Sequence, residues 1–222
     1  MVIPRAAAGA LRPTVLLTGF EPFGGETINP SWLAVQALHG RRIAGHRLVA
    51  AQLPTVFGRA RTELARLLAR HRPALVLCVG QAGGRAAISL ERVALNIDDA
   101  RLPDNAGAQP VDQPVEPGAP AAYFGTLPIK AMLLALQRAG IPAEVSQTAG
   151  TFVCNHVFYG LMHALAQQPE PPARGGFVHV PWLPEQGQPA LPLADMVRGL
   201  QVAVRCALAT RRDVAVGAGA IS

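Results

Sequence analysis

The chain switches hydrophobic period repeatedly. Short apolar runs of strand length give way to segments whose apolar residues recur at helical spacing. Thr14-Val15-Leu16-Leu17-Thr18 is the first such run, and Arg47 to Gln52, Ala74 to Val79, Ala143 to Thr148 and Gly176 to Pro181 follow it. Between them lie helical patterns. Asn29-Pro30 supplies a capping side chain and then a proline at the first helical position. Phe57 to His71 sets Leu64, Leu67, Leu68 and His71 on one face before Pro73 breaks it. Ile129, Met132, Leu133 and Leu136 fit one face of a helix that Gly140 terminates. A further helix begins near Cys154, and Leu193, Met196, Val197, Leu200 and Val204 share a face of the last one. This alternation predicts an α/β protein in which Ala74 to Val79 is a buried central strand ended by Gly80. Asp98 to Gly118, rich in Pro, Gly, Asp and Asn, predicts a long surface loop near a functional edge.

A length of 222 residues suits one compact domain. Half the residues are hydrophobic and 15% are charged, which excludes a disordered or fibrous chain. No apolar stretch approaches the roughly 18 to 20 residues that span a bilayer. The first ten residues lack the sustained apolar core of a secretory signal. A cytoplasmic protein is therefore expected, without membrane association. The net charge of +6 permits an acidic partner, yet the basic residues are scattered in ones and twos, Lys130 is the only lysine, and no nucleic-acid motif accompanies them. Nucleic-acid binding is not expected. Asp98-Asp99 has no histidine or cysteine at ligand spacing and reads as a solvated turn, so no metal is expected.

Three widely separated cysteines fit neither a disulfide framework nor a metal site. Cys78 lies inside an apolar strand and Cys206 inside an amphipathic helix, where an uncharged thiol packs as a small hydrophobe. Cys154 differs, because a strand, a glycine turn and a helix meet at Thr148 to Leu161 and place the thiol at a helix start, a pattern that suits a catalytic thiol and a buried helix-start cysteine equally. Unpaired backbone N–H groups and the helix dipole there are expected to lower its pKa and to receive an oxyanion. A thiol nucleophile needs a base. His156 is nearest in sequence but points to another side of the helix. His179 stands at a strand end, where open α/β sheets gather reactive groups. Glu91, Asp98, Asp99 and Asp104 could orient that imidazole, and Glu91 stands out because its apolar surroundings require a partner, either the histidine or a local arginine such as Arg85 or Arg92.

The stretches Leu16 to Gly25, Gly80-Gln81-Ala82-Gly83-Gly84-Arg85, Glu91-Arg92-Val93-Ala94, Thr148 to His156 and His179-Val180-Pro181 together resemble, in order and spacing, the pyroglutamyl peptidase I family, also called pyrrolidone carboxylate peptidases. The resemblance runs from about Thr14 to Arg205. It implies one domain over residues 14–208, a three-layer α/β/α sandwich around a twisted, mostly parallel central sheet, with flexible termini at 1–13 and 209–222. It implies a cysteine exopeptidase that removes an N-terminal pyroglutamyl residue through a thioester, without metal or cofactor. Cys154 would be the nucleophile, His179 the acid/base and Glu91 the orienting carboxylate. Phe20 and Phe23 would enclose the lactam ring, Phe152 and Val153 would line the same pocket, and Gln81 and Arg101 would lie beside the scissile carbonyl. Backbone N–H groups of Cys154 and Asn155 would receive the oxyanion. Phe20 and Phe23 read equally well as core residues, and Asn29 reads as a helix cap rather than a substrate ligand. Peptides or proteins with N-terminal pyroglutamate are the implied partners and a homotetramer the implied assembly. The alternative is another cysteine amidohydrolase on the same scaffold with a different acyl specificity.

Overall fold

A computed structural model describes residues 13–168 and 173–219. The expectations for residues 1–12 and 220–222 lie outside the described residues. In chain order the elements are β1 (Thr14–Phe20), α1 (Pro30–Gln36), β2 (Arg42–Ile43), β3 (His46–Leu53), α2 (Arg59–His71), β4 (Leu75–Gln81), β5 (Ile88–Glu91), β6 (Val93–Leu95), β7 (Ala122–Phe124), α3 (Ile129–Arg138), β8 (Ala143–Ser146), α4 (Val153–Ala166), β9 (Arg174–Val180) and α5 (Leu193–Ala209). Seven strands form one sheet in the order β2-β3-β1-β4-β9-β5-β8, while β6 and β7 pair antiparallel outside it. The central neighbours β3, β1, β4 and β9 run parallel, as do β5 and β8; β2 and β5 meet their partners β3 and β9 antiparallel.

Successive residues of a strand face opposite sides, and both sides of β1 and β4 are apolar. Val15, Leu17, Leu75, Leu77 and Val79 join the core under α1, α3 and α5. Leu16, Phe20, Val76, Cys78 and Phe177 join the core under α2 and α4. The result is the α/β/α sandwich with a mostly parallel sheet that the family resemblance implies. Helix α1 opens as predicted: Asn29 Oδ1 accepts from Ser31 N at 3.0 Å, and Pro30 follows the cap. The Asn29 amide also donates to Glu21 O at 3.0 Å, so this side chain serves the β1–α1 turn.

Three particulars differ from expectation. Gly80 does not end its strand; β4 continues to Gln81, and Gly80 pairs with His179. The apolar segment around Glu91 is a strand, β5, reversed against β9. The residues after α5 are seated on the body: Arg174 donates to Thr210 O, and Asp213 accepts from Lys130 N and Ala131 N at the start of α3.

Candidate active site

Register on the sheet brings Glu91 and His179 together. His179 lies on β9 opposite Gly80 of β4, and Glu91 lies on β5 opposite Phe177, two residues back along β9. All four therefore share the sheet face covered by α4. His179 Nδ1 stands 2.8 Å from Glu91 Oε1, and Arg85 Nη1 donates to the same oxygen at 2.7 Å. The Glu91 side chain is fully covered and that of His179 is 4% exposed. Burial pushes the Glu91 carboxyl up, but the bonds from His179 and Arg85 and the positive charge of the imidazole prevail and hold it below its ordinary value. Ionised Glu91 accepts the hydrogen bond that His179 Nδ1–H donates, which leaves Nε2 as the ring nitrogen not engaged by the carboxylate.

Cys154 reaches this pair from the second position of α4. A Cβ on Gly80 would lie 2.8 Å from Cys154 Sγ, 2.9 Å from Phe177 Cζ and 3.0 Å from His179 Cδ2. Thiol and imidazole thus converge on the space that Gly80, having no side chain, leaves open. Helix α4 has no capping side chain, since its cap residue is Phe152, so the first-turn N–H groups of Cys154 and Asn155 stay uncommitted to a cap. The expected lowering of the thiol pKa is corrected. Burial pushes it up to about 12, the Glu91 charge adds to this, and Arg85 only partly opposes it. Burial thus favours the neutral form of the Cys154 thiol. Cys78, buried in the core, is likewise pushed up to about 12 by burial, and half-buried Cys206 packs against the core under α1, α3 and α5 with Thr210 Oγ1 at 3.8 Å.

The aromatic residues divide into two groups. Phe20 and Val153 are covered by the molecule's own atoms at 2% and 0% exposure, Phe20 packing against Phe177 at 6.3 Å between ring centroids. Phe23 and Phe152 are half-buried with centroids 5.9 Å apart, and Phe57 meets Phe152 edge-on at 5.4 Å. Gln81 Oε1 accepts a 3.3 Å bond from Gln186, whose amide also reaches Glu26. Arg101 is exposed on the loop that Asp99 and Thr151 tie to the start of α4 by bonds of 2.9 and 2.7 Å. The Asn155 side chain is engaged elsewhere, bonding Leu95 N, Leu95 O and Ile97 O at 2.9 Å each, so only its backbone N–H is available to an oxyanion.

Other carboxylates considered for the histidine go elsewhere. Asp104 accepts from Phe57 N, Ala106 N and Ala108 N. Asp98 is no solvated turn: it is 6% exposed and meets His156 Nδ1 at 2.8 Å. Sequence reasoning missed this pair, because Asp98 and His156 are 58 positions apart and neither sits in a pattern that names the other. It missed Gln186 for the same reason. Glu91 satisfies both readings left open for it, bonding the histidine and Arg85 at once.

Comparison with known proteins identifies the family and the fold. The family described as Pyroglutamyl peptidase matches residues 13–210. A pyrrolidone-carboxylate peptidase of Cupriavidus taiwanensis is 62% identical over 207 residues, covering 91% of this chain and 96% of its own; one of Erwinia tasmaniensis is 56% identical, with 93% and 98% covered. The crystal structure of Bacillus amyloliquefaciens pyroglutamyl peptidase I superimposes with a TM-score of 0.88 at 48% identity, over 91% of this chain and all of that one. A mutant pyrrolidone carboxyl peptidase of Pyrococcus furiosus does so with a TM-score of 0.85 at 42% identity, over 88% and 98%. The chain belongs to the pyroglutamyl peptidase family.

Proposed function

We propose that the protein is a cysteine exopeptidase that hydrolyses the amide bond after an N-terminal pyroglutamyl residue of peptides or proteins. The observation that carries the roles is the convergence of Cys154 Sγ and the Glu91-bound His179 ring on the vacancy above Gly80. As Sγ attacks the pyroglutamyl carbonyl carbon, its proton passes to His179 Nε2, and the buried Glu91 carboxylate stabilises the imidazolium. First-turn N–H groups of Cys154 and Asn155 receive the oxyanion. The imidazolium then protonates the departing amine, the C–N bond breaks, and a thioester remains. Water, deprotonated by the same imidazole, attacks the thioester, releasing pyroglutamate and restoring the thiol.

A pyroglutamyl group has no free α-amine, so an apolar slot with aromatic faces can hold it without a carboxylate. Phe23 and Phe152 are the faces proposed, with Phe20 and Val153 behind them and Gln81 and Arg101 beside the carbonyl. A flat ring between two aromatic faces needs about 7 Å of separation, two van der Waals contacts of ~3.5 Å, which the 5.9 Å resting spacing does not provide. Phe23 precedes Gly24 and Gly25, with φ of +64° and +85°, and is the ring proposed to yield. The reading includes a catalytic domain over residues 14–208, a homotetramer, a cytoplasmic location, and no metal or cofactor. No described helix is long and apolar enough to cross a membrane. The test is release of a fluorescent amine from pyroglutamyl, prolyl and alanyl amides, with and without iodoacetamide. Release from the pyroglutamyl amide alone, abolished by alkylation, is expected. Release from another acyl amide instead would shift the reading to a different cysteine amidohydrolase.

A further inference from the structure

The proposed reaction does not use the second buried histidine–carboxylate pair. His156 follows Cys154 by two positions on α4 and so points away from the thiol. Its Nε2 accepts the Gly58 N–H at 3.0 Å, and its Nδ1 lies 2.8 Å from Asp98 Oδ2. A nitrogen that accepts carries no proton, so His156 is the Nδ1–H tautomer and donates to Asp98. Both residues are nearly covered, at 5% and 6% exposure, and Asp98 Oδ1 has no partner among the described residues. An apolar pair would avoid that penalty.

Everything this pair holds leads to one ring. Gly58 follows Phe57, whose ring stands edge-on to His156 and to Phe152, each at 5.4 Å. Asp98 exchanges backbone bonds of 2.7 and 3.0 Å with Gln113, and its neighbour Asp99 is bonded to Thr151, directly before Phe152. We propose that His156, held by Asp98, is a positioning residue for the acyl pocket: it clamps the Phe57–Gly58 turn so that Phe57 braces Phe152 as the fixed wall against which the lactam ring packs. The inference rests on the pyroglutamyl peptidase reading. It divides the pocket into a braced side, Phe152, and a yielding side, Phe23.

Side chains of graded reach separate the two bonds. In His156→Phe the ring still packs on Phe57 but both bonds are lost. In His156→Gln an ε-oxygen can still accept from Gly58, and in His156→Asn only a δ-amide remains to donate to Asp98. With a pyroglutamyl amide, His156→Phe is expected to raise KM about five- to tenfold, the value of the one buried hydrogen bond that holds the Phe57–Gly58 turn, while kcat per titrated Cys154 stays within about twofold. His156→Gln should recover most of the loss and His156→Asn less. Asp98→Asn keeps an oxygen facing the Nδ1–H and is expected to alter KM by less than about twofold; should His156→Phe fail to fold, this variant and His156→Gln still carry the test. A fall in kcat at unchanged KM, or a larger KM change in Asp98→Asn than in His156→Gln, would overturn the positioning role. Wild-type enzyme assayed alongside separates the failures: no release by wild type defeats the activity reading, whereas wild-type release with unaltered KM in every variant defeats the brace.

Discussion

At the scale of single residues, the chemistry depends on two protonation states set by neighbours. Cys154 is pushed up to about 12 by burial and by the Glu91 charge, so the free enzyme holds a thiol and the thiolate arises only as His179 takes the proton. The rate of alkylation by iodoacetamide is therefore expected to climb with pH beyond 9.0, the ordinary thiol value; a plateau near neutrality would show a preformed thiolate–imidazolium pair instead. Glu91 is held below 4.5, its ordinary value. Its contribution to stability is complete above that value and is lost as pH falls through the lower folded one. Glu91→Gln should flatten the acid limb of an unfolding curve and reduce kcat/KM by about 10²-fold or more, since the imidazolium loses its anion. Cys154 was legible in the sequence because a strand, a glycine turn and a helix start are local. The Glu91–His179 bond was legible only as a requirement, a buried carboxylate needing a partner. Which partner it takes depends on β5 lying against β9 in one register, and no local pattern fixes that.

At the scale of elements, a glycine and an aspartate show how strands and helices are fitted to the site. Gly80 reads in sequence as a strand terminator, but the structure uses its missing side chain within β4 to let α4 bring its thiol down to β9. Gly80→Ala places a methyl 2.8 Å from Cys154 Sγ and 3.0 Å from His179 Cδ2, and a misplacement of about 1 Å can cost roughly 10²-fold in rate. A large loss of kcat with a folded, unshifted circular dichroism spectrum is expected, and wild-type kcat would contradict the geometry. Helix α3 has Pro128 at its cap position, which offers no side-chain bond, and Asp213 supplies one from the far end of the chain at 2.9 and 3.0 Å. Asp213→Ala should cost about 1 kcal/mol, a Tm lower by roughly 2 to 4 °C, with activity unchanged. The helix was legible from Met132, Leu133 and Leu136, but its cap was not, because capping patterns are sought just before a helix and this one arrives 83 residues later.

At the scale of the whole molecule, two apolar layers press on a sheet whose inner strands are covered on both faces. That much follows from runs such as Leu75-Val76-Leu77-Cys78-Val79, which alternate between the two cores without a polar break. The reversal of β5 and the separate β6–β7 pair were not legible, since hydrophobic period reports which face a residue takes and not the direction of its strand. The sandwich sets the carboxyl ends of β4 and β9 beneath the start of α4, so one thiol is exposed to attack chemistry while Cys78 stays sealed in the core and Cys206 lies on α5. The most direct test of this arrangement is mass measurement of the intact protein and of its peptides after rapid acid quench of a reaction with a reactive pyroglutamyl aryl ester, whose good leaving group makes deacylation the slow step. The account predicts one pyroglutamyl acyl group per chain, located on the peptide that carries Cys154 and absent from Cys154→Ala. An acyl group on Cys78 or Cys206, or ester turnover that persists in Cys154→Ala, would contradict it.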